Sequence, residues 1–224
     1  MTRPVYAVFV AGGSGTRMGS DTPKQFLDLG GVCILQRAIE NFVRAIPEIK
    51  VITVLPKAHF ETWKEICLTR GFDCPQLLVE GGITRFHSVR NALEKVPEGA
   101  VVMIHDGVRP LIKPETIADM LVRMETCRAI VPATPVTDTL RSTAPGIPAP
   151  DRSQTVAVQT PQVFLSEELK AAYAQPFDTA FTDDASVAER AGIPISLFPG
   201  DRLNIKITTP SDLTLAEAIL SFPR

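Results

Sequence analysis

Apolar positions along the chain fall into two alternating rhythms. Val5-Tyr6-Ala7-Val8-Phe9-Val10 is a continuous apolar run closed by glycines, the pattern of a strand buried on both faces. Val51–Leu55, Gln76–Val79, Val101–Ile104 and Ala129–Val131 repeat it. Between them, Ile34–Arg44, Phe60–Thr69, Ser88–Lys95 and Glu115–Met124 carry apolar residues at helical spacing, each about long enough to cross over between parallel strands. The alternation predicts an α/β fold, a Rossmann-like and mostly parallel sheet flanked by helices with right-handed crossovers. In such sheets ligands bind beyond the carboxyl ends of the strands, which is where chemistry is expected.

The rhythm breaks after Pro132. Val136–Arg141 and Gln154–Val158 read as strand-like segments around the proline-rich centre Pro145-Gly146-Ile147-Pro148-Ala149-Pro150. They predict a protruding β-arm, an insertion at about 136–160 that is too polar to form a core and needs something to lie against. Helical pattern returns at Ser166–Ala174 and Asp184–Ala191, with strands expected near Ile195–Phe198 and Leu203–Ile207. A last helix, Pro210–Leu220, opens on Pro210, Ser211 and Asp212, which supply entry and capping chemistry. No internal repeat or linker divides the sequence, so residues 1–224 are expected to form one domain.

Charge and composition narrow the function classes. Lys and Arg number 23 against 25 Asp and Glu, a net charge of −2, which excludes binding nucleic acid or an anionic membrane by bulk positive charge. No apolar run approaches the roughly 18 to 20 residues of a membrane span, and Val5–Ala11 is too short for a secretory signal. A cytoplasmic protein is expected. Cys33, Cys67, Cys74 and Cys127 fit neither a CxxC pair nor zinc-ligand spacing, and they read as reduced bystanders. His59 and His87 stand apart from any carboxylate or cysteine at metal-ligand spacing.

Candidate chemistry begins where the first strand ends, in Ala11-Gly12-Gly13-Ser14-Gly15-Thr16-Arg17-Met18-Gly19. A glycine-rich turn after a buried strand lets backbone N–H groups approach an anion, because no Cβ intervenes; a tight turn needing positive φ is the rival reading. No Gly-Lys-Ser/Thr follows, so it is not a Walker loop, and the GxGxxxG spacing of Gly13, Gly15 and Gly19 is one residue longer than the dinucleotide fingerprint. Arg17 inside the loop and Lys24 in Pro23-Lys24-Gln25 place two cations near it. That combination suits phosphoryl or nucleotidyl transfer, where charge builds on equatorial oxygens. Asp106 follows a strand at its carboxyl end, where it can accept from a sugar hydroxyl or take a hard cation, and Arg109 can fork onto a phosphate.

The glycine loop followed by Pro23-Lys24-Gln25 resembles the sugar-phosphate nucleotidyltransferases, and within them the 2-C-methyl-D-erythritol 4-phosphate cytidylyltransferases of isoprenoid biosynthesis. Further segments match that pattern in order: Gly81-Gly82 with Arg85 and Ser88-Val89-Arg90-Asn91, His105-Asp106-Gly107-Val108-Arg109-Pro110, Pro135–Thr139, Arg152, Thr160-Pro161-Gln162, Thr182-Asp183-Asp184-Ala185-Ser186 and Asn204-Ile205-Lys206. Ribitol-5-phosphate cytidylyltransferases share several of these; Ser88–Asn91 and Thr182–Ser186 look more like the methylerythritol enzymes.

The resemblance implies transfer of CMP from CTP to methylerythritol phosphate with loss of pyrophosphate. Arg17 and Lys24 would be catalytic and steady the α-phosphate, while Ala11, Gly12, Gly13, Gly15, Gly81, Gly82 and Ser88 would bind the nucleotide. Asp106, Arg109, Thr139, Thr160 and Thr182 would meet the sugar phosphate, and Arg152 and Lys206 would position its phosphate. It further implies Mg²⁺ or another divalent cation held mostly by the CTP phosphates with Asp106 as a candidate ligand, and a homodimer whose β-arms reach into the neighbouring site. A phosphate nucleophile is already ionised, so His105 reads as structural rather than as a base. Lys206 is expected in an apolar strand where a lone cation needs an anion. Two rival classes fit less well. A non-catalytic nucleotide-binding regulator would be expected to lack Arg17 or Lys24, and an NAD enzyme would need an acidic residue after the second strand, which ends Leu55-Pro56-Lys57.

Overall fold

A computed structural model describes residues 3–13, 22–144 and 146–222. Strand β1 (Val5–Val10) lies at the centre of a sheet with β4 (Lys50–Leu55) on one side and β6 (Val101–Asp106) on the other, both parallel to it. β5 (Gln76–Glu80) continues beyond β4, also parallel. On the β6 side follow β9 (Gln162–Leu165), β7 (Ala129–Pro135) and the edge strand β10 (Ser196–Pro199). β9 runs antiparallel to both neighbours, and β8 (Val156–Val158) pairs antiparallel with the end of β7. A small hairpin, β2 (Asp28–Leu29) with β3 (Val32–Cys33), turns on Gly30 and Gly31 at φ 63° and 82°, a left-handed pair that glycine adopts without cost.

Strand alternation divides the apolar residues between two layers. Ala7 and Phe9 of β1, Val51 and Leu55 of β4, and Met103 of β6 face α1 (Ile34–Ala45), α2 (Phe60–Thr69) and α4 (Pro114–Arg123). Val8, Ile52, Val54, Val102 and Ile104 face α3 (Arg85–Leu93), α5 (Ser166–Tyr173) and α6 (Asp184–Arg190). α7 (Pro210–Ser221) packs Ala216 and Ile219 against Leu29, Ile34 and Ile207. α3 lies on the second layer because the chain doubles back over β1 from β5 to β6, and the order of the sheet reverses there. That reversal opens a crevice at the strand ends. No helix among the described residues is long and apolar enough to cross a membrane.

The structure corrects three expected elements. Val136–Arg141 forms no strand: β7 extends to Pro135 and pairs with β8 through Ala133–Val158, Thr134–Ala157 and Pro135–Val156, leaving the segment beyond without a ladder. Leu203–Ile207 is not a strand either; it is irregular backbone tied by Ile207 N–H to the Val108 carbonyl and by Arg109 to the Asn204 carbonyl. α3 starts at Arg85 rather than Ser88, because Thr84 caps it by accepting from His87 N–H.

Candidate active site

A cavity of about 340 Å³ lies beyond the carboxyl ends of β1, β4, β5 and β6. Ala11, Gly12 and Gly13 enter it from β1, Pro56 from β4, Gly81–Arg85 from β5, Asp106 and Val108 from β6 and the turn after it, with Lys24, Gln25, Ser88 and Lys206 completing the wall. Nine of the expected residues meet there: Ala11, Gly12, Gly13, Lys24, Gly81, Gly82, Ser88, Asp106 and Lys206. Arg17 and Gly15 lie outside the described residues.

Neither Gly12 nor Gly13 has positive φ, so a strained turn is not what requires glycine at these two positions. A Cβ on Gly12 would meet nothing within 4 Å, and one on Gly13 would come 3.7 Å from the Lys24 side chain. Their lack of side chains keeps the backbone beside Lys24 open to an anion. Lys24 sits in a short 3₁₀ turn, Lys24–Phe26, anchored by Gln25, whose Nε2 donates to the Ala11 carbonyl at 2.8 Å.

The turn after β5 is built differently. The Ser88 hydroxyl donates to the Thr84 carbonyl and accepts from Gly82 N–H, both at 3.0 Å, so it braces the Gly81-Gly82 turn. A Cβ on Gly82 would fall 2.3 Å from that of His87, which makes glycine obligatory for this packing.

The floor holds three cations against two carboxylates. Lys206 Nζ lies 2.9 Å and Arg109 Nε 3.4 Å from Asp106 Oδ2, and Arg85 Nε lies 3.6 Å from Oδ1. Burial alone would raise the Asp106 carboxyl, but Arg85, Lys206 and Arg109 together hold it well below the usual carboxylate range. Arg85 also forks onto the fully buried Asp184, and these charges overcome burial to keep its guanidinium protonated. Lys206 therefore finds its counter-ion in Asp106, with 42% of its side chain exposed rather than enclosed in a strand.

His105 is enclosed beneath this floor. Its Nε2 donates to the Arg109 carbonyl, and its Nδ1 accepts from Thr160 Oγ1, each at 3.0 Å; Thr160 Oγ1 in turn accepts from Asp106 N–H. Burial pushes the imidazole down to about 4, so it stays neutral and turned away from the cavity. Thr139 and Arg152 are exposed on the arm and do not line the cavity; Arg152 Nη1 donates to the Thr137 carbonyl at 2.9 Å. Thr182 precedes the cap of α6, which is Asp183 in a capping box with Ser186. Sequence reasoning missed Thr84 and Gln25 as wall residues and gave Asp184 no role; Thr84 could have been found from its cap position three residues before His87.

Among the described residues no three His, Cys, Asp or Glu side chains cluster as metal ligands, and both Asp106 oxygens face cations. The described residues therefore offer this floor no protein-held metal site.

The sequence profile of IspD, 2-C-methyl-D-erythritol 4-phosphate cytidylyltransferase, matches residues 5–222. The chain belongs to this family. Among its relatives, the 2-C-methyl-D-erythritol 4-phosphate cytidylyltransferase of Bacteroides fragilis is 47% identical over 215 residues, covering 96% of this chain and 98% of the relative. That of Porphyromonas gingivalis is 47% identical over 223 residues, covering 99% and 100%. A solved 4-diphosphocytidyl-2C-methyl-D-erythritol synthase from Anaerococcus prevotii superposes with a TM-score of 0.82 at 27% identity, covering 98% of this chain and 99% of that one. The Thermus thermophilus cytidylyltransferase gives 0.71 at 28% identity, covering 96% and 98%. Gly107 sits so close to Ala11 and Leu35 that a Cβ would approach them to 3.0 and 2.9 Å.

Proposed function

We infer that this chain transfers CMP from CTP to 2-C-methyl-D-erythritol 4-phosphate, giving 4-diphosphocytidyl-2-C-methyl-D-erythritol and pyrophosphate. The observation that carries the reading is the convergence of the open Gly12-Gly13 backbone, Lys24 and the Asp106–Lys206–Arg109–Arg85 cluster on one cavity in a chain of this family.

In this reading the triphosphate lies along the Gly12-Gly13 backbone beside Lys24, and the base and ribose rest against Gly81, Gly82 and Ser88. The acceptor phosphate comes to the opposite side, over Lys206 and Arg109. It attacks the α-phosphorus in line, a bond forms from its oxygen, and the bond to the bridging oxygen of pyrophosphate breaks. No proton need be removed, which agrees with a neutral, enclosed His105. Lys24, with Arg17, neutralises charge that grows on the α-phosphate oxygens. A divalent ion would arrive on the nucleotide, since ions such as Mg²⁺ coordinate readily to substrate phosphates.

The arm completes the site in a homodimer. Thr139 and Arg152, which do not line their own cavity, would meet the acceptor held by the partner. Thr160, buried and engaged by His105 and the Asp106 N–H, can serve only its own subunit, and it and Thr182 would border the acceptor there. A cytoplasmic location is part of the same reading. Lys24→Ala should lower kcat by about a hundredfold or more, measured as pyrophosphate release, with the melting temperature nearly unchanged. Near-normal turnover would remove Lys24 from the mechanism.

A further inference from the structure

Behind Asp106 stands a second carboxylate that the roles above do not use. Asp184, the first residue of α6, is fully buried, and both its oxygens are engaged. Oδ1 accepts from Arg85 Nη1 at 2.9 Å and from the Tyr173 hydroxyl at 2.6 Å, and Oδ2 accepts from Arg85 Nη2 at 2.6 Å. A two-point fork fixes the plane of a guanidinium as well as its place.

This fork decides what Arg85 can offer the cleft. With both terminal nitrogens spent on Asp184, Arg85 turns only Nε toward Asp106 Oδ1, at 3.6 Å. Asp106 Oδ2 is left to Lys206 and Arg109. Without the charge of Asp184, the nearest remaining anion for the guanidinium is Asp106, onto which it can fork in turn. Arg109 is tied by Nη1 to the Asn204 carbonyl at 2.9 Å, so the cation displaced would be Lys206, whose side chain is the most exposed of the three.

We propose that Asp184 is a positioning residue for nucleotidyl transfer: by gripping Arg85 with both oxygens it keeps Asp106 available to Lys206 and so fixes the ammonium at the cleft floor. The proposal rests on the transferase reading of the cavity. Tyr173 supports Asp184 from the apolar core, where its ring packs on Phe86, and does not itself touch Asp106.

Asp184→Asn and Tyr173→Phe in the full chain separate positioning from stability. The amide keeps the size but drops the charge and turns an NH₂ toward the guanidinium; the phenylalanine removes one hydrogen bond to Asp184 and leaves the fork intact. The first readout needs no turnover: the rate at which an amine reagent labels Lys206, followed by peptide mass spectrometry. It should rise about threefold or more in Asp184→Asn and stay close to wild type in Tyr173→Phe. The second is kinetic. Asp184→Asn should lose about tenfold or more in kcat with KM for CTP within about threefold, while Tyr173→Phe keeps kcat within about twofold although both variants melt lower.

Unchanged Lys206 labelling in folded Asp184→Asn, or equal loss of turnover in Tyr173→Phe, would overturn the proposal. If the asparagine variant does not fold, Asp184→Glu takes its place: it keeps the charge but pushes the guanidinium out by a methylene, so kcat should still fall, and wild-type turnover would overturn the role. A wild-type chain inert toward CTP and methylerythritol phosphate would sink the transferase reading and leave the labelling result to judge Asp184.

Discussion

His105 and Asp106 are neighbours driven in opposite directions by their surroundings. Burial between Phe9 and Phe42 keeps the imidazole neutral, with its pKa down to about 4, while three cations keep the carboxylate ionised against the same burial. The sign of the pH effect follows. The folded pKa of His105 lies below its ordinary value near 6.5, so its contribution to stability is full above about 6.5 and is lost as pH falls through about 4. The loss is about 3 kcal/mol at most. Melting temperature should therefore drop between pH 7 and 4, and His105→Gln, which can serve both partners without titrating, should flatten the drop. An equally steep fall in the variant would assign it to other groups. The residues read most directly from the sequence were those whose chemistry is local: Gly12, Gly13 and Lys24 flank a strand end and meet there. Ser88 and Lys206 were harder, because a hydroxyl that braces a turn and an ammonium paired across 100 residues look the same in sequence as ligands. Asp184 was hidden altogether: a carboxylate at the first position of a helix ordinarily reads as an exposed partner of the helix dipole.

Strands and helices with a buried face were legible almost to the residue. β1 and α2 carry the expected bounds, since apolar periodicity and glycine or proline punctuation coincide at their ends. β9 was missed because four residues directly before a helix carry no period of their own, and its place is fixed by long-range pairing with β6 and β7. Leu203–Ile207 failed for the converse reason: its apolar residues alternate, but the chain there buries Asn204 and Ile207, three residues apart, in irregular backbone with no strand beside it to pair with. The arm is the element with the fewest partners in the sheet: among its described residues only Val156–Val158 pairs, with the end of β7. Val156 and Val158 are exposed on β8 and Arg152 does not line the cavity, so the role proposed for the arm turns on a second copy. If the arm serves a partner's site as proposed, mixing inactive Lys24→Ala chains with inactive Arg152→Ala chains should restore activity toward a quarter of wild type, because half of such dimers would be mixed and each would have one intact site. Proven mixing without recovery would place Arg152 in its own subunit's site or outside the reaction.

The chain as a whole carries a charge of only −2, and that balance conceals a local concentration of positive charge at one end of the sheet. Lys24, Arg85, Arg109 and Lys206 come from four separate stretches of sequence, and the reversal of strand order around β1 gathers them at one crevice. Family membership favours 2-C-methyl-D-erythritol 4-phosphate over ribitol 5-phosphate as the acceptor, and the choice between them tests the account most directly. Pyrophosphate release from CTP should be measured with 2-C-methyl-D-erythritol 4-phosphate and with ribitol 5-phosphate in parallel. The predicted result is a kcat/KM at least about a hundredfold higher for the methylerythritol substrate. Equal rates, a preference for ribitol 5-phosphate, or no pyrophosphate from either would contradict it.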